Sequence, residues 1–141
     1  MNKHIEEAKK YCETKNYRFT EPRERVLKVL VESTKPMGAY DIIKALSTKK
    51  HQVKPATVYR AIDFWIYQGY VHKINSLNSY LACCHEHSHG HSFIFICEQC
   101  DETFELETTG LPANVLQLLK KNKASLSHSS TELYGNCQHC H

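Results

Sequence analysis

Residues 54–83 read KPATVYRAIDFWIYQGYVHKINSLNSYLAC, and this stretch decides the fold. Pro55 suits the first turn of a helix, where its missing N–H costs nothing. Val58, Ala61, Ile62, Trp65 and Ile66 then recur at three and four residues, which makes one apolar, inward-facing side. Gly69 ends the helix as a left-handed cap. Two short β-like runs follow, Tyr70 to Ile74 and Tyr80 to Cys83, with residues 75–79 between them as a hairpin loop. A helix running into a hairpin is the second half of a winged helix-turn-helix. Thr57, Tyr59, Arg60 and Asp63 remain on the solvent side. Arg can take guanine in a bidentate pair, and Thr or Tyr can meet phosphate or a thymine methyl, so this face suits the major groove. An ordinary solvated helix carries the same residue types, so the pattern alone supports both readings.

Upstream, the apolar positions Ile5, Ala8, Tyr11 and Cys12 predict an amphipathic helix from Lys3 to about Lys15. Thr20 is placed to cap a second helix with Pro22 in its first turn and Val26, Leu27, Leu30 and Val31 on one face. Met37 and Gly38 break the chain before a third helix whose stripe is Ile42, Ile43 and Leu46. The N-terminal part is therefore a winged helix over residues 1–82.

Downstream the chemistry changes. Residues 1–82 hold 15 Lys/Arg against 8 Asp/Glu, and residues 83–141 hold 3 against 7. A basic module precedes an acidic one. In the second, Ser92 to Cys97 and Glu102 to Leu106 read as strands, and Leu111 to about Lys121 as a helix with Leu111, Val115, Leu118 and Leu119 on one side. A last strand is expected near Leu133 and Tyr134. This α/β unit over residues 92–141 is too small to stand comfortably without a metal or a partner subunit. The fold class is α+β.

Two CxxC turns, Cys97/Cys100 and Cys137/Cys140, lie at the ends of this small unit. Two residues between thiolates let both sulfurs face one ion, and two such turns complete a closed tetrahedron at about 2.3 Å. A closed site is structural, and structural zinc is expected there. Residues 83–91 carry Cys83, Cys84, His85, His87, His89 and His91, a ligand-rich hinge that on composition alone is equally a solvated linker. Cys84 and Glu86 ahead of a CxxC are similar to the nucleobase deaminase signature. No proline precedes Cys97 and the second CxxC already occupies those thiols, so the chain is read as a non-enzyme.

With 141 residues, 41% hydrophobic and 23% charged, the chain excludes a large multilayer enzyme, wholesale disorder and a coiled coil. No apolar run approaches the ~20 residues of a membrane helix, and Lys3, Glu6 and Glu7 do not fit a signal peptide. A cytoplasmic protein without membrane contact is expected. Seven cysteines, an odd number, in a reducing compartment point to metal binding before disulfides.

The run from Arg18 to Arg23, the run from Lys54 to Phe64, the run from Gly69 to Ile74, the histidine tract and both CxxC pairs together resemble the ferric uptake regulator family. The resemblance covers nearly the whole chain and is strongest to the zinc-sensing branch of the family. It implies a homodimeric, metal-dependent repressor of double-stranded operator DNA, with a C-terminal dimerisation module and two Zn²⁺ per subunit, one structural and one regulatory. It further implies a regulatory site at His72, Cys83, His91 and Glu105, with His89 competing with His91 because the tract differs in length from the family pattern. Two imidazoles, one thiolate and one carboxylate balance the charge of Zn²⁺. Tyr40 and Arg60 are implied as DNA contacts. Plentiful zinc would then repress zinc-import genes. Iron, manganese and peroxide sensors of the same family are the nearest alternatives, and a zinc module that does not bind DNA is the alternative of another class.

Overall fold

The computed structural model describes residues 2–83, 91–106, 110–128 and 130–140, and divides the chain into two compact units, Met1–Cys84 and His85–His141. The first contains α1 (Asn2–Lys15), α2 (Glu21–Glu32), α3 (Ala39–Leu46), α4 (Pro55–Gln68), β1 (Val71–Ile74) and β2 (Ser79–Ala82). Thr20 caps α2 by accepting the Arg23 N–H at 3.4 Å, with Pro22 in the first turn. Gly69 closes α4 at φ 85°, where a side chain would be strained. β1 and β2 pair antiparallel, from Val71 opposite Ala82 to Ile74 opposite Ser79. Asn78, left-handed at φ 48°, closes the short 3-10 turn that joins them.

The core of this unit forms around Trp65, which is fully buried. Its ring meets Phe64, Tyr70 and Phe19 edge-on at 4.8, 5.2 and 6.1 Å, and its indole N–H donates to the Arg23 carbonyl at 2.8 Å. Val26, Leu27 and Leu30 from α2, Ile42 and Leu46 from α3, and Val58, Ala61 and Ile62 from α4 pack in the same core. Ile43, expected in the stripe of α3, is only half-buried. Met37 does more than break the chain. Its backbone exchanges two hydrogen bonds with Tyr80, at 2.9 and 2.8 Å, which adds a bridge to the wing hairpin.

The second unit is a three-stranded sheet in the order β4-β3-β5. β3 (Ser92–Cys97) pairs antiparallel with β4 (Thr103–Leu106) and parallel with β5 (Ser130–Gly135). The crossover carries α5 (Ala113–Lys121), which starts two residues later than expected because Pro112 caps it in an extended conformation. The expected apolar face of α5 is not buried within the unit. Leu111, Val115 and Leu119 are half-covered, Leu118 is 57% exposed, and none of the helix is fully buried among the described residues. No helix among the described residues is long and apolar enough to cross a membrane.

Candidate metal centres and nucleic-acid surface

Cys97, Cys100, Cys137 and Cys140 come together in the second unit, with all four sulfurs within 4.8 Å of one another. Cys97 and Cys100 bracket the turn from β3 into β4, where Asp101 N–H donates to the Cys97 carbonyl at 3.0 Å. Cys137 and Cys140 form the turn after β5, closed by Cys140 N–H to Cys137 O at 3.0 Å. Parallel pairing of β5 with β3 brings the two turns side by side. The pairing ends at Cys97 opposite Gly135, and a side chain at Gly135 would press on the Phe95 ring at 3.2 Å. Glu98 N–H to Gly135 O, at 2.8 Å, ties the first turn to the end of β5.

The electrostatics suit a thiophilic cation. The backbone N–H of Cys137 donates to Cys97 Sγ at 3.4 Å, and that of Gln99 does the same at 3.4 Å. These amides, with that of Cys137 foremost, pull the Cys97 thiol down to about 6. Burial pushes the Cys137 thiol up. Sulfurs 2.3 Å from a shared tetrahedral ion lie about 3.8 Å apart, and Cys100 and Cys137 are separated by 3.7 Å. The four thiols therefore fit one tetrahedral ion with no coordination position left open. All four are the residues expected from the CxxC spacing.

Of the residues implied for a regulatory site, His72 and Cys83 belong to the first unit. His72 lies in the middle of β1, opposite Leu81, and Cys83 follows β2, its N–H donating to Tyr70 O at 2.8 Å. A ring nitrogen of His72 and the Cys83 sulfur lie within 4.8 Å of each other, close enough for one ion. Glu105 and His91 belong to the second unit. Glu105 lies on β4 opposite Ile94. His91 immediately precedes β3, its Nε2 2.5 Å from Thr131 Oγ1 and its ring edge-on to Phe93 at 5.4 Å. Burial lowers the pKa of this imidazole. His91 and Glu105 are not brought together within the sheet. Thr131 had no signal in the sequence, since a lone threonine 40 residues from His91 is not a motif. Cys84, His85, His87 and His89, and with them most of the expected 83–91 hinge, lie outside the described residues.

The outer side of α4 and the start of α3 carry the candidate nucleic-acid contacts. Tyr40 is 75% exposed, Tyr59 is 46% exposed, Arg60 is exposed and Thr57 half-buried. Val58, Ala61, Ile62 and Trp65 take the inner side, so burial itself turns Tyr59 and Arg60 outward. Burial raises the pKa of Tyr80 on β2, and the neighbouring Tyr59 and Asp63 of α4 raise it further. The α4 N-terminus has Lys54 and no acidic residue in its first turn, which favours an anion there.

A winged helix joined to a sheet with a four-thiol metal knuckle defines a metal-binding protein of the winged-helix class. A model of the ferric uptake regulator family matches residues 14–134, and the chain belongs to that family. The zinc uptake regulation protein of Escherichia coli (strain K12) is 36% identical over 137 residues, covering 96% of this chain and 80% of its own length. The peroxide operon regulator of Bacillus subtilis (strain 168) is 28% identical over 141 residues, covering 96% of this chain and 92% of its own. Among solved structures, a zinc uptake regulator complexed with zinc and DNA superposes with a TM-score of 0.88 at 34% identity, covering 98% of this chain and 93% of that one.

Proposed function

We propose that the chain is a zinc-responsive transcriptional repressor of the cytoplasm, which binds operator DNA as a homodimer when a regulatory zinc site is filled and thereby silences zinc-uptake genes. One observation carries the reading: two metal donors of different chemistry, His72 and Cys83, lie within 4.8 Å of each other at the wing of the DNA-binding unit. A donor pair on the wing belongs to the same unit as the reader helix, so it couples metal to DNA more directly than the knuckle of the other unit. The Cys83 thiolate favours zinc over the harder iron and manganese ions, which separates this reading from the other sensors of the family. Two ions per subunit follow, one at the four-thiol knuckle and one shared by His72, Cys83, Glu105 and a histidine of the 85–91 tract.

When bound, the second zinc supplies a link between donors of the two units. His72 and Cys83 hold their share on the hairpin that follows the reader helix, so the position of α4 is coupled to the filling of the site. By linkage, operator DNA tightens zinc binding by the same factor that zinc tightens operator binding. Tyr40, Thr57, Tyr59 and Arg60 contact the duplex. The uncovered Leu118, Leu133 and Tyr134 of the second unit suit the face shared by two subunits.

The test is operator affinity with and without added zinc, for the wild type and for Cys83→Ser. The variant is expected to keep the knuckle zinc and the dimer while losing zinc-stimulated binding. Equal stimulation in both proteins, or stimulation of the wild type by iron or manganese alone, would overturn the reading.

A further inference from the structure

One residue of α2 grips two neighbouring residues of α4. The Arg23 guanidinium lies over the Phe64 ring, 3.7 Å from its centroid, and the Arg23 carbonyl accepts the Trp65 indole N–H at 2.8 Å. The same guanidinium donates through Nη1 to the Arg18 carbonyl, and the Arg23 N–H donates to Thr20 Oγ1. Trp65 and Tyr17 meet the Phe64 ring edge-on at 4.8 and 5.8 Å, so the guanidinium adds a third wall around it. Among the described residues no carboxylate pairs with Arg23, so an aromatic face and a backbone carbonyl hold its charge. Successive helical residues point about 100° apart, so one residue that grips both Phe64 and Trp65 fixes the rotation of α4 about its own axis. Arg60 is four residues before Phe64, one turn away on the same side of the helix. At a side-chain radius of ~6 Å, a rotation of roughly 20° moves a tip by about 2 Å. Hydrogen-bond distances vary by only about 0.5 Å, so a base contact from Arg60 depends on that rotation being held.

We propose that Arg23 is a positioning residue for operator reading, which sets the rotation of α4 that aims Arg60 at a base pair and does not itself touch DNA. The guanidinium does this as a flat plate that stacks on Phe64 while it bonds the Arg18 carbonyl. A lysine ammonium is a compact point charge without that plane or fork, so it does not fill both roles. The backbone bonds of Arg23 to Trp65 and Thr20 persist whatever side chain stands at position 23, so removal of the guanidinium loosens the helix without dismantling the unit. This inference rests on the reading of Arg60 as a base contact.

The test uses the full-length protein in the presence of zinc, carrying Arg23→Met, Arg23→Lys or Phe64→Leu, each alone and combined with Arg60→Ala. Each is titrated at several salt concentrations against a scrambled duplex and an operator selected from random duplexes by the wild type, with Trp65 fluorescence reporting the fold. Operator affinity should fall about 10-fold in the three single variants, within the range that one bidentate base contact contributes. Binding to the scrambled duplex and the salt slope should stay as in wild type. In the Arg60→Ala background the three changes should have no further effect on operator affinity, because the residue they aim is gone. Wild-type operator affinity in Arg23→Lys would show that charge alone matters and overturn the proposal. Equal loss on both duplexes, with the salt slope flattened by about one ion per subunit, would make Arg23 a phosphate contact and overturn it as well. So would unchanged operator binding in variants whose Trp65 transition shifts to lower denaturant, which would confine Arg23 to stability. Operator binding by Arg60→Ala as tight as that of wild type would instead sink the reading of Arg60 on which the inference rests.

Discussion

The two units of this chain are held together by different means. The first encloses Trp65, Leu27, Leu30, Ile42 and Ile62 between helices and wing, all at most 2% exposed. In the second, the buried apolar side chains among the described residues are Ile94, Ile96, Cys97 and Cys137, and two of those four belong to the four-thiol cluster. Its helix α5 buries nothing fully, while Leu116, Leu118, Leu133 and Tyr134 remain largely uncovered. A hydrophobic core thus stabilises the first unit, whereas the second buries so little that, on the proposed function, a metal ion and a second subunit would supply what its core does not. The division suits the proposed function, because the unit that must grip DNA keeps its shape whatever the metal supply.

Metal removal breaks this contrast most strongly. Structural zinc contributes about 10–16 kcal/mol of apparent binding free energy in small domains, more than the whole stability of most of them. Cys97→Ser should therefore lose the knuckle zinc, unfold the second unit and dissociate the dimer, while the fluorescence of the chain's one tryptophan, Trp65, stays native. Amide hydrogen exchange read separately over β3–β5 and α2–α4 checks this. Loss of protection in both units together would show that they fold as one. Zinc uptake at the knuckle also carries protons. Cys97, held at about 6, is mostly thiolate at neutral pH, but burial keeps Cys137 protonated until the ion arrives. Uptake at pH 7 therefore releases protons, and zinc affinity falls as pH is lowered through 6. Heats of binding that do not depend on the ionisation enthalpy of the buffer would refute it.

The converse substitution sharpens the contrast from the other side. Leu27 is 1% exposed in the core of the first unit, and Leu27→Ala there should cost ~2–5 kcal/mol. Unfolding followed through Trp65 should shift to lower denaturant, with the zinc content of the knuckle unchanged. Zinc lost in step with the Trp65 transition would mean that the knuckle depends on the first core.

Elements whose cause is local were legible in the sequence. The cap at Thr20, the proline start and glycine stop of α4, and the span of β3 all follow from residues within a few positions. The four thiols were legible too, because CxxC spacing is itself the geometry of the site. Three features were not, and each depends on a distant partner. The Met37–Tyr80 bridge joins residues 43 apart, and its donors are backbone groups that every residue possesses. The face of α5 was read from periodicity, which marks an apolar side without saying whether the same unit covers it. The place of His91 followed from family spacing, whereas pairing with β5 decides which side of the sheet its ring takes.

The smallest effect concerns Arg60, whose exposure follows from the core of the first unit. Val58, Ala61 and Ile62 are buried on the opposite side of α4, so Arg60→Ala should leave unfolding and zinc content as they are. Its consequence is confined to DNA. If the guanidinium takes guanine O6 and N7 as a bidentate pair, its loss costs ~1–3 kcal/mol on the operator and relaxes preference at one position of each half-site. If it only neutralises a phosphate, affinity falls equally on every duplex and the salt dependence flattens by about one ion per subunit. Binding to the operator and to a scrambled duplex, each at several salt concentrations, distinguishes the two. A base-specific loss is expected, because the helix register that buries Val58 and Ile62 turns residue 60 out beside Tyr59. Equal loss on both duplexes would assign Arg60 to the backbone and leave base reading to Thr57, Tyr59 and Tyr40.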